Sequence, residues 1–312
     1  MFTNTRLQQL RTALCCPACR GELENAAPDT LICSACRQDY PVINDKPILM
    51  TAASQQELDL RLDTKEGLAM IRKYADSEAG TSMVSKPKPW WIRFLCPPQV
   101  MLTYRPDLRQ PPTSVLFDAD ESGHLPLVLN IGGGPVRESE HEITLNVRPF
   151  HNVDMVADAH NIPLVDNSVD AIFSLAVLEH VADPRKVVAE MYRVLKPGGY
   201  MYSEIPFIFY FHGYPTDITR FTREGIRLLF GGLENLEVDM VQGPMSALLQ
   251  SGNMVWQMFI PERWPIARKL FNGLYRWIFF PFKYLDLLLR NNPQAHILAG
   301  GFYALGRKRR QD

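Results

Sequence analysis

From Leu125 onward, apolar runs of four to six residues alternate with stretches of helical periodicity, the signature of parallel strands buried on both faces by helices. The pattern predicts strands at 127–131, 142–147, 153–157, 169–174 and 198–205, a helix at 184–195, and a last edge strand over Gly301–Lys308. Upstream, the runs Tyr40–Ile43 and Pro47–Met50 close a compact module over residues 1–52. Residues 54–75 interleave charges with Leu58, Leu62, Leu68 and Ile71, which suits an exposed or bridging helix. Residues 76–124 are proline-rich and predict loops, so 53–124 forms a helical and irregular linker region. The main domain then spans 125–312, with an apolar helical insertion at 244–295.

Composition narrows this picture without redirecting it. With 33 Lys and Arg against 34 Asp and Glu, the net charge of −1 gives no bulk attraction to nucleic acid or to acidic substrates. The first residues lack the basic start and apolar core of a secretory leader, and no uncharged apolar stretch of about 18 residues occurs. The expectation is a cytoplasmic protein without a spanning helix.

Five of the six cysteines fall between Cys15 and Cys36. Cys16-Pro-Ala-Cys19 and Cys33-Ser-Ala-Cys36 form two knuckles, each able to turn two thiolates to one side. Four sulfurs close a tetrahedral Zn2+ site with no open position, which makes it structural. So short a module needs such a staple, because it cannot bury enough apolar surface alone. Redox-active or unrelated free thiols are the competing explanations. The tail Leu31–Met50, a knuckle followed by Tyr-Pro-hydrophobic and a Pro-hydrophobic-Leu ending, resembles the small zinc-binding proteins that activate RNA and protein methyltransferases.

Val128–Ile131 breaks into Gly132-Gly133-Gly134-Pro135, a bend where backbone can approach a ligand closely. Alone it would serve a dinucleotide, another nucleotide or a sharp corner. It is followed by Val156-Ala-Asp158-Ala159, Asp166-Asn-Ser168-Val-Asp170, Leu178-Glu-His180-Val, Asp183-Pro184 and Arg193-Val-Leu-Lys-Pro197-Gly-Gly199. In this order the run resembles the class I S-adenosylmethionine-dependent methyltransferases that include the quinone-biosynthesis methylases, the methyltransferase type 11 group.

That resemblance implies an α/β fold, a Rossmann-like seven-stranded methyltransferase sheet beside the small N-terminal zinc ribbon, with S-adenosylmethionine across the carboxyl ends of the strands. It assigns Gly132, Gly133 and Gly134 to the methionine and ribose, and Asp158 with the Ala159 backbone to the adenine. Ser174, Leu175 and Ala176 then border the methyl group. Two departures stand out: Asn146 replaces the acidic residue that usually takes the ribose hydroxyls, and Pro135 stands at the fourth position of the glycine turn, where it removes a donor, with Asn130 in place of an acidic residue in the first strand.

The segment Glu204–Thr222 concentrates aromatic and ionisable groups behind the strand expected to face the methyl group. His180, His212 and Asp217 are candidates for a catalytic base or for orienting the acceptor, with Arg220 as an anion clamp. Packing and capping roles compete with each assignment. Trp264–Arg290 places Leu270, Phe271, Leu274 and Ile278 at helical spacing, with Arg268 and Arg276 on the other side. Such a helix either packs on the sheet or lies in a bilayer interface, making peripheral membrane contact at the inner face of the membrane. The acceptor class therefore stays between a small lipid-linked, glycan or quinone-like molecule and RNA. The rival class is a non-catalytic binding protein with a degenerate donor site.

Overall fold

A computed structural model describes residues 8, 10–57, 98–107, 125–133, 142–150, 152–213 and 216–310. Gly134, Pro135, Tyr214, Cys96 and most of the 53–124 linker region lie outside the described residues.

The cysteine module contributes β1 (Leu23–Ala27), β2 (Thr30–Cys33), β3 (Asp39–Ile43) and β4 (Lys46–Leu49), antiparallel neighbours in that order. The larger sheet holds β5 (Val128–Ile131), β6 (Glu142–Asn146), β7 (Met155–Ala157), β8 (Val169–Leu175), β9 (Leu195–Pro206), β10 (Leu233–Gln242) and β11 (Gly301–Lys308). Their spatial order is β7-β6-β5-β8-β9-β11-β10, parallel except for β11, which runs antiparallel to both its neighbours. The order turns at β5 and β8, so the crevice at their carboxyl ends is the switch point of a doubly wound sheet.

The cysteine module does not hang from this sheet on a linker. β4 pairs in parallel with β7 through Ile48 opposite Val156 and Leu49 opposite Ala157, so the two parts form one hydrogen-bonded series of strands. Further stitches fix the junction. The Cys15 amide donates to Pro163 O at 3.0 Å and the Val165 amide to Ala13 O at 2.8 Å. Arg20 pairs with Glu190 at 2.9 Å, and Lys46 Nζ reaches Phe150 O at 2.7 Å.

Helices follow the strands where the sequence supplies caps. α1 (Ala52–Glu57) leaves β4, and α2 (Pro184–Val194) begins at Asp183, whose carboxylate accepts the Arg185 and Lys186 amides at 3.1 Å each. The apolar face of α2, Val187, Val188, Met191 and Val194, packs with Leu129, Ile131, Ile143 and Leu145 of the sheet. Val128, Phe173, Tyr202, Val241 and Tyr303 form a separate core cluster. α3 (Arg223–Leu229), α4 (Pro244–Met258), α5 (Pro265–Phe279) and α6 (Asp286–Leu289) complete the described helices.

Of the two arrangements open to α5, packing on the sheet or an outward apolar face, the structure has the second. Arg268 and Arg276 turn inward, their guanidinium groups donating to Ile260 O at 3.2 Å and Pro98 O at 2.9 Å. Leu270, Leu274 and Ile278 face outward with 70%, 60% and 52% of their surface exposed. The arginine stems bury readily once their heads find backbone carbonyls, whereas these apolar side chains stay more than half exposed.

Candidate functional site

Two polar centres are built on this frame. In the first, the sulfur atoms of Cys16, Cys19, Cys33 and Cys36 all lie within 4.8 Å of one another. Cys16 Sγ is 3.7 Å from Cys36 Sγ, and Cys19 Sγ is 3.5 Å from Cys33 Sγ. A tetrahedron of thiolates with Zn–S bonds of about 2.3 Å has edges of about 3.8 Å, so the four residues fit a zinc ion. The fully buried Tyr40 brings its hydroxyl to 3.0 Å from Cys16 Sγ, a contact of the kind that orients a metal ligand from behind. Gly21 is required at the knuckle, since a Cβ there would meet Cys33 Sγ at 2.9 Å. Cys15 stays outside the cluster and is buried.

The second centre occupies the carboxyl ends of β5 to β9. Gly132 leaves β5 with φ +71°, and a Cβ on it would lie 2.3 Å from Val177 Cγ2. A Cβ on Gly133 would strike Thr144 Cγ2 at 2.5 Å. The bend therefore needs glycine for backbone conformation and for close packing alike. Asn146 at the end of β6 holds the bend shut: its amide nitrogen donates to Gly133 O at 3.2 Å while its oxygen accepts the Arg148 amide at 3.0 Å.

Asp158, just past β7, is buried and already engaged by the protein. Oδ2 accepts the Ser54 hydroxyl at 2.5 Å, and Oδ1 accepts the His160 amide at 2.9 Å with His160 Nδ1 at 2.7 Å. Burial disfavours its charge, but the hydrogen bonds from His160 and Ser54 outweigh burial and hold its carboxyl below the ordinary value. A carboxylate offers about four acceptor positions, so one remains on Oδ2 for an amino group. Ala159 follows in a 3-10 turn. Ser174 sits inside β8 with a buried hydroxyl that has no partner among the described residues, and Leu175 ends the strand. Ala176 then adopts φ +55°, a conformation costly for a side-chain-bearing residue and held here by its amide bond to Glu204 O at 3.0 Å.

For S-adenosylmethionine the frame is apt in position: a side-chain-free bend, a strand end and a buried acidic residue meet at the switch point. Asn146 and Asp158 fit less fully, because both spend hydrogen-bonding capacity on their own chain.

Beyond Ala176, the structure gathers His180, His212 and Asp217 into one cluster. The two imidazoles meet edge to face with centroids 5.0 Å apart, and His212 Nδ1 is 3.4 Å from Asp217 Oδ2. Asp217 also accepts the His212 amide at 3.0 Å and is gripped by the Arg220 guanidinium, so Arg220 is committed to Asp217. Hydrogen bonding from Arg220 leads the depression of the Asp217 carboxyl to about 2.

Glu179 lies at the centre of this cluster and is absent from the residues singled out in the sequence. Its side chain is completely buried, Oε1 lies 3.3 Å from His212 Nε2 and 3.7 Å from His180 Nε2, and burial raises its carboxyl above the usual range. The available signal was an acidic residue directly after the apolar run Leu175–Leu178 and directly before a histidine.

Residues 138–203 match the family model described as Methyltransferase domain, and residues 12–45 match the model described as Trm112p-like protein. A malonyl-[acyl-carrier protein] O-methyltransferase from Marinomonas sp. (strain MWYL1) is 44% identical over 53 residues, which is 17% of this chain and 20% of that protein. A demethylmenaquinone methyltransferase from Paenarthrobacter aurescens (strain TC1) is 49% identical over 49 residues, 15% of this chain and 19% of that protein. The matched stretches thus span no more than 20% of the length of these relatives. A solved complex that contains the Haloferax volcanii Trm112 methyltransferase activator is 17% identical, covers 62% of this chain and 84% of that one, and has a TM-score of 0.38. The chain carries a methyltransferase domain segment and a Trm112-like ribbon, joined here in one α/β sheet.

Proposed function

We propose that the chain is an S-adenosylmethionine-dependent methyltransferase whose ribbon is a structural zinc module built into the sheet of the catalytic domain. The observation that carries this is the glycine bend at the switch point, within a strand order of β7-β6-β5-β8-β9-β11-β10. Bound there, S-adenosylmethionine supplies an electrophilic methyl group. Gly132, Gly133 and Gly134 would pass beneath its methionine and ribose, and Asp158 with Ala159 would meet the adenine. Ser174 and Leu175 would border the sulfonium.

Methyl transfer from a sulfonium is an in-line displacement governed by positioning. His180, His212 and Asp217 would orient the acceptor or take its proton. The outward apolar face of α5, with Lys269 in the helix and Arg263 and Lys283 on either side of it in sequence, favours an acceptor presented at a lipid surface, such as a quinone-like or lipid-linked molecule. Among the described residues, no helix is long and apolar enough to cross a membrane, so the contact proposed is peripheral and at the inner face. The net charge of −1 gives RNA less support.

A non-catalytic reading draws on the self-engagement of Asn146 and Asp158. Calorimetric titration with S-adenosylhomocysteine separates the two: binding at micromolar to low millimolar ligand supports the enzyme, and silence at higher concentration leaves only a binding scaffold. Mass spectrometry of a lipid extract incubated with isotopically labelled donor then identifies the acceptor.

A further inference from the structure

The cluster behind the glycine bend has an electrostatic peculiarity that methyl-donor binding does not explain. Glu179 is 0% exposed, and neither of its carboxylate oxygens has a hydrogen-bond partner among the described residues. The backbone is stitched tightly around it, since the Ile218 and Thr219 amides donate to Glu179 O at 2.7 Å and 3.2 Å. The side chain nevertheless faces two imidazole nitrogens and no hydrogen-bond donor fixed in place.

The tautomers sharpen the problem. His180 Nδ1 contacts the Thr216 carbonyl oxygen, a pure acceptor, so Nδ1 carries the proton and the Nε2 lone pair points toward Glu179. His212 Nδ1 is buried without a hydrogen-bond partner among the described residues and lies 3.4 Å from Asp217 Oδ2, so a proton on Nδ1 would face the carboxylate and leave the Nε2 lone pair toward Glu179. Two lone pairs and a carboxylate then converge within 4.8 Å of one another. A proton on Glu179 satisfies one imidazole and leaves the other facing oxygen. A cation between them satisfies all three.

We propose that Glu179, His180 and His212 form a second metal site, separate from the cysteine cluster, that takes a first-row divalent cation such as Mn2+, Fe2+, Co2+ or Zn2+. Ligand bonds of about 2.1 Å place neighbouring donors about 3.0 to 3.4 Å apart in octahedral or tetrahedral geometry. The observed 3.3 Å and 3.7 Å need only slight closure. Two imidazoles and one carboxylate suit these borderline ions better than Ca2+, and three protein ligands leave coordination positions open. Asp217 and Thr216 orient the two histidines from behind, and Arg220 fixes Asp217. Resting on the methyltransferase reading, the open positions face the acceptor side, where the cation would hold an acceptor oxygen and favour its deprotonated form.

The test needs neither donor nor acceptor, so its failure is distinct from failure of the methyltransferase reading. Full-length protein with zinc in its cysteine site is titrated with Mn2+ while free Mn2+ is followed by electron paramagnetic resonance. One Mn2+ per chain is expected. Glu179→Gln and His212→Gln should each weaken binding at least tenfold with zinc content and melting temperature unchanged, and Asp217→Asn should weaken it about tenfold through His212. Should Glu179→Gln fail to fold, His180→Asn carries the same expectation at a more accessible position. Wild-type protein that takes up no Mn2+ at millimolar concentration, or variants that bind as the wild type does, would overturn the assignment.

Discussion

The Ser54 hydroxyl donates to Asp158 Oδ2 at 2.5 Å, so the helix leaving the ribbon grips the carboxylate that follows β7. The bond is buried, and its acceptor is charged. Hydrogen bonds to charged groups contribute about 1.5 to 3 kcal/mol, so Ser54→Ala should lower the unfolding free energy by about that amount. Denaturant titration checks this, with Ser54→Thr as the conservative control. An unchanged midpoint in Ser54→Ala would mean that the β4–β7 pairing holds the junction unaided.

The same carboxylate sets an acid limit. A carboxyl held below its ordinary value contributes stability that is fully present above its unfolded pKa of about 3.9 and is lost as pH falls through the lower folded value. Stability should therefore decline as pH drops below about 4, and Asp158→Asn should flatten that part of the curve. Equal slopes for the two proteins would remove Asp158 from the acid transition.

At the cysteine site, Tyr40 supplies the testable detail. Its hydroxyl, 3.0 Å from Cys16 Sγ, can donate to the thiolate of a zinc-bound cysteine. Tyr40→Phe should weaken zinc binding about 10- to 100-fold in competition with a chromophoric chelator, the range for outer-sphere partners. Because the ribbon and the main sheet share strand pairing, chelating the zinc should lower the melting temperature of the whole chain. A ribbon that melted alone, with the rest unmoved, would contradict that coupling.

What the sequence could and could not disclose follows from the range of the interactions. β5, β6 and β8 are buried on both faces and so carry Val, Ile, Leu and Phe on both, with few polar residues in β5 and β8, and the helix at 184–195 announces itself through Asp183-Pro184 and a single apolar face. β10 escaped because Leu233–Gln242 lies at the sheet edge, where charges alternate with apolar residues and the run reads as polar. The parallel seam between β4 and β7 joins residues about a hundred positions apart, and nothing in either segment names its partner. The cysteine ligands were legible because knuckle spacing is local. Glu179 was not, because its meaning depends on His212 arriving from the end of a different strand.

The glycine bend gives a sharper test of the donor site. Gly132→Ala adds a Cβ 2.3 Å from Val177 Cγ2 at a residue with φ +71°. Left-handed strain of about 1 to 3 kcal/mol comes on top of the clash, so the bend should shift and S-adenosylhomocysteine affinity should fall at least tenfold. Adding Val177→Ala removes the clash but not the strain, and should restore the affinity only in part. Full retention of affinity in Gly132→Ala would place the ligand elsewhere.

The exposed face of α5 separates packing from membrane docking through stability itself. Leu270, Leu274 and Ile278 are 70%, 60% and 52% exposed, so their loss opens no cavity. A triple replacement by Ser should change the unfolding free energy by no more than about 0.5 kcal/mol per site, against about 2 to 5 kcal/mol for each buried leucine replaced by alanine. It should nevertheless abolish co-sedimentation with anionic liposomes, because the free energy of insertion comes from transferring these side chains out of water. The basic residues flanking the face, Arg263, Lys269 and Lys283, add attraction that high salt should screen. If the triple variant unfolds several kcal/mol more easily and wild-type protein stays in the supernatant, α5 packs against protein and the lipid-surface reading of the acceptor falls with it.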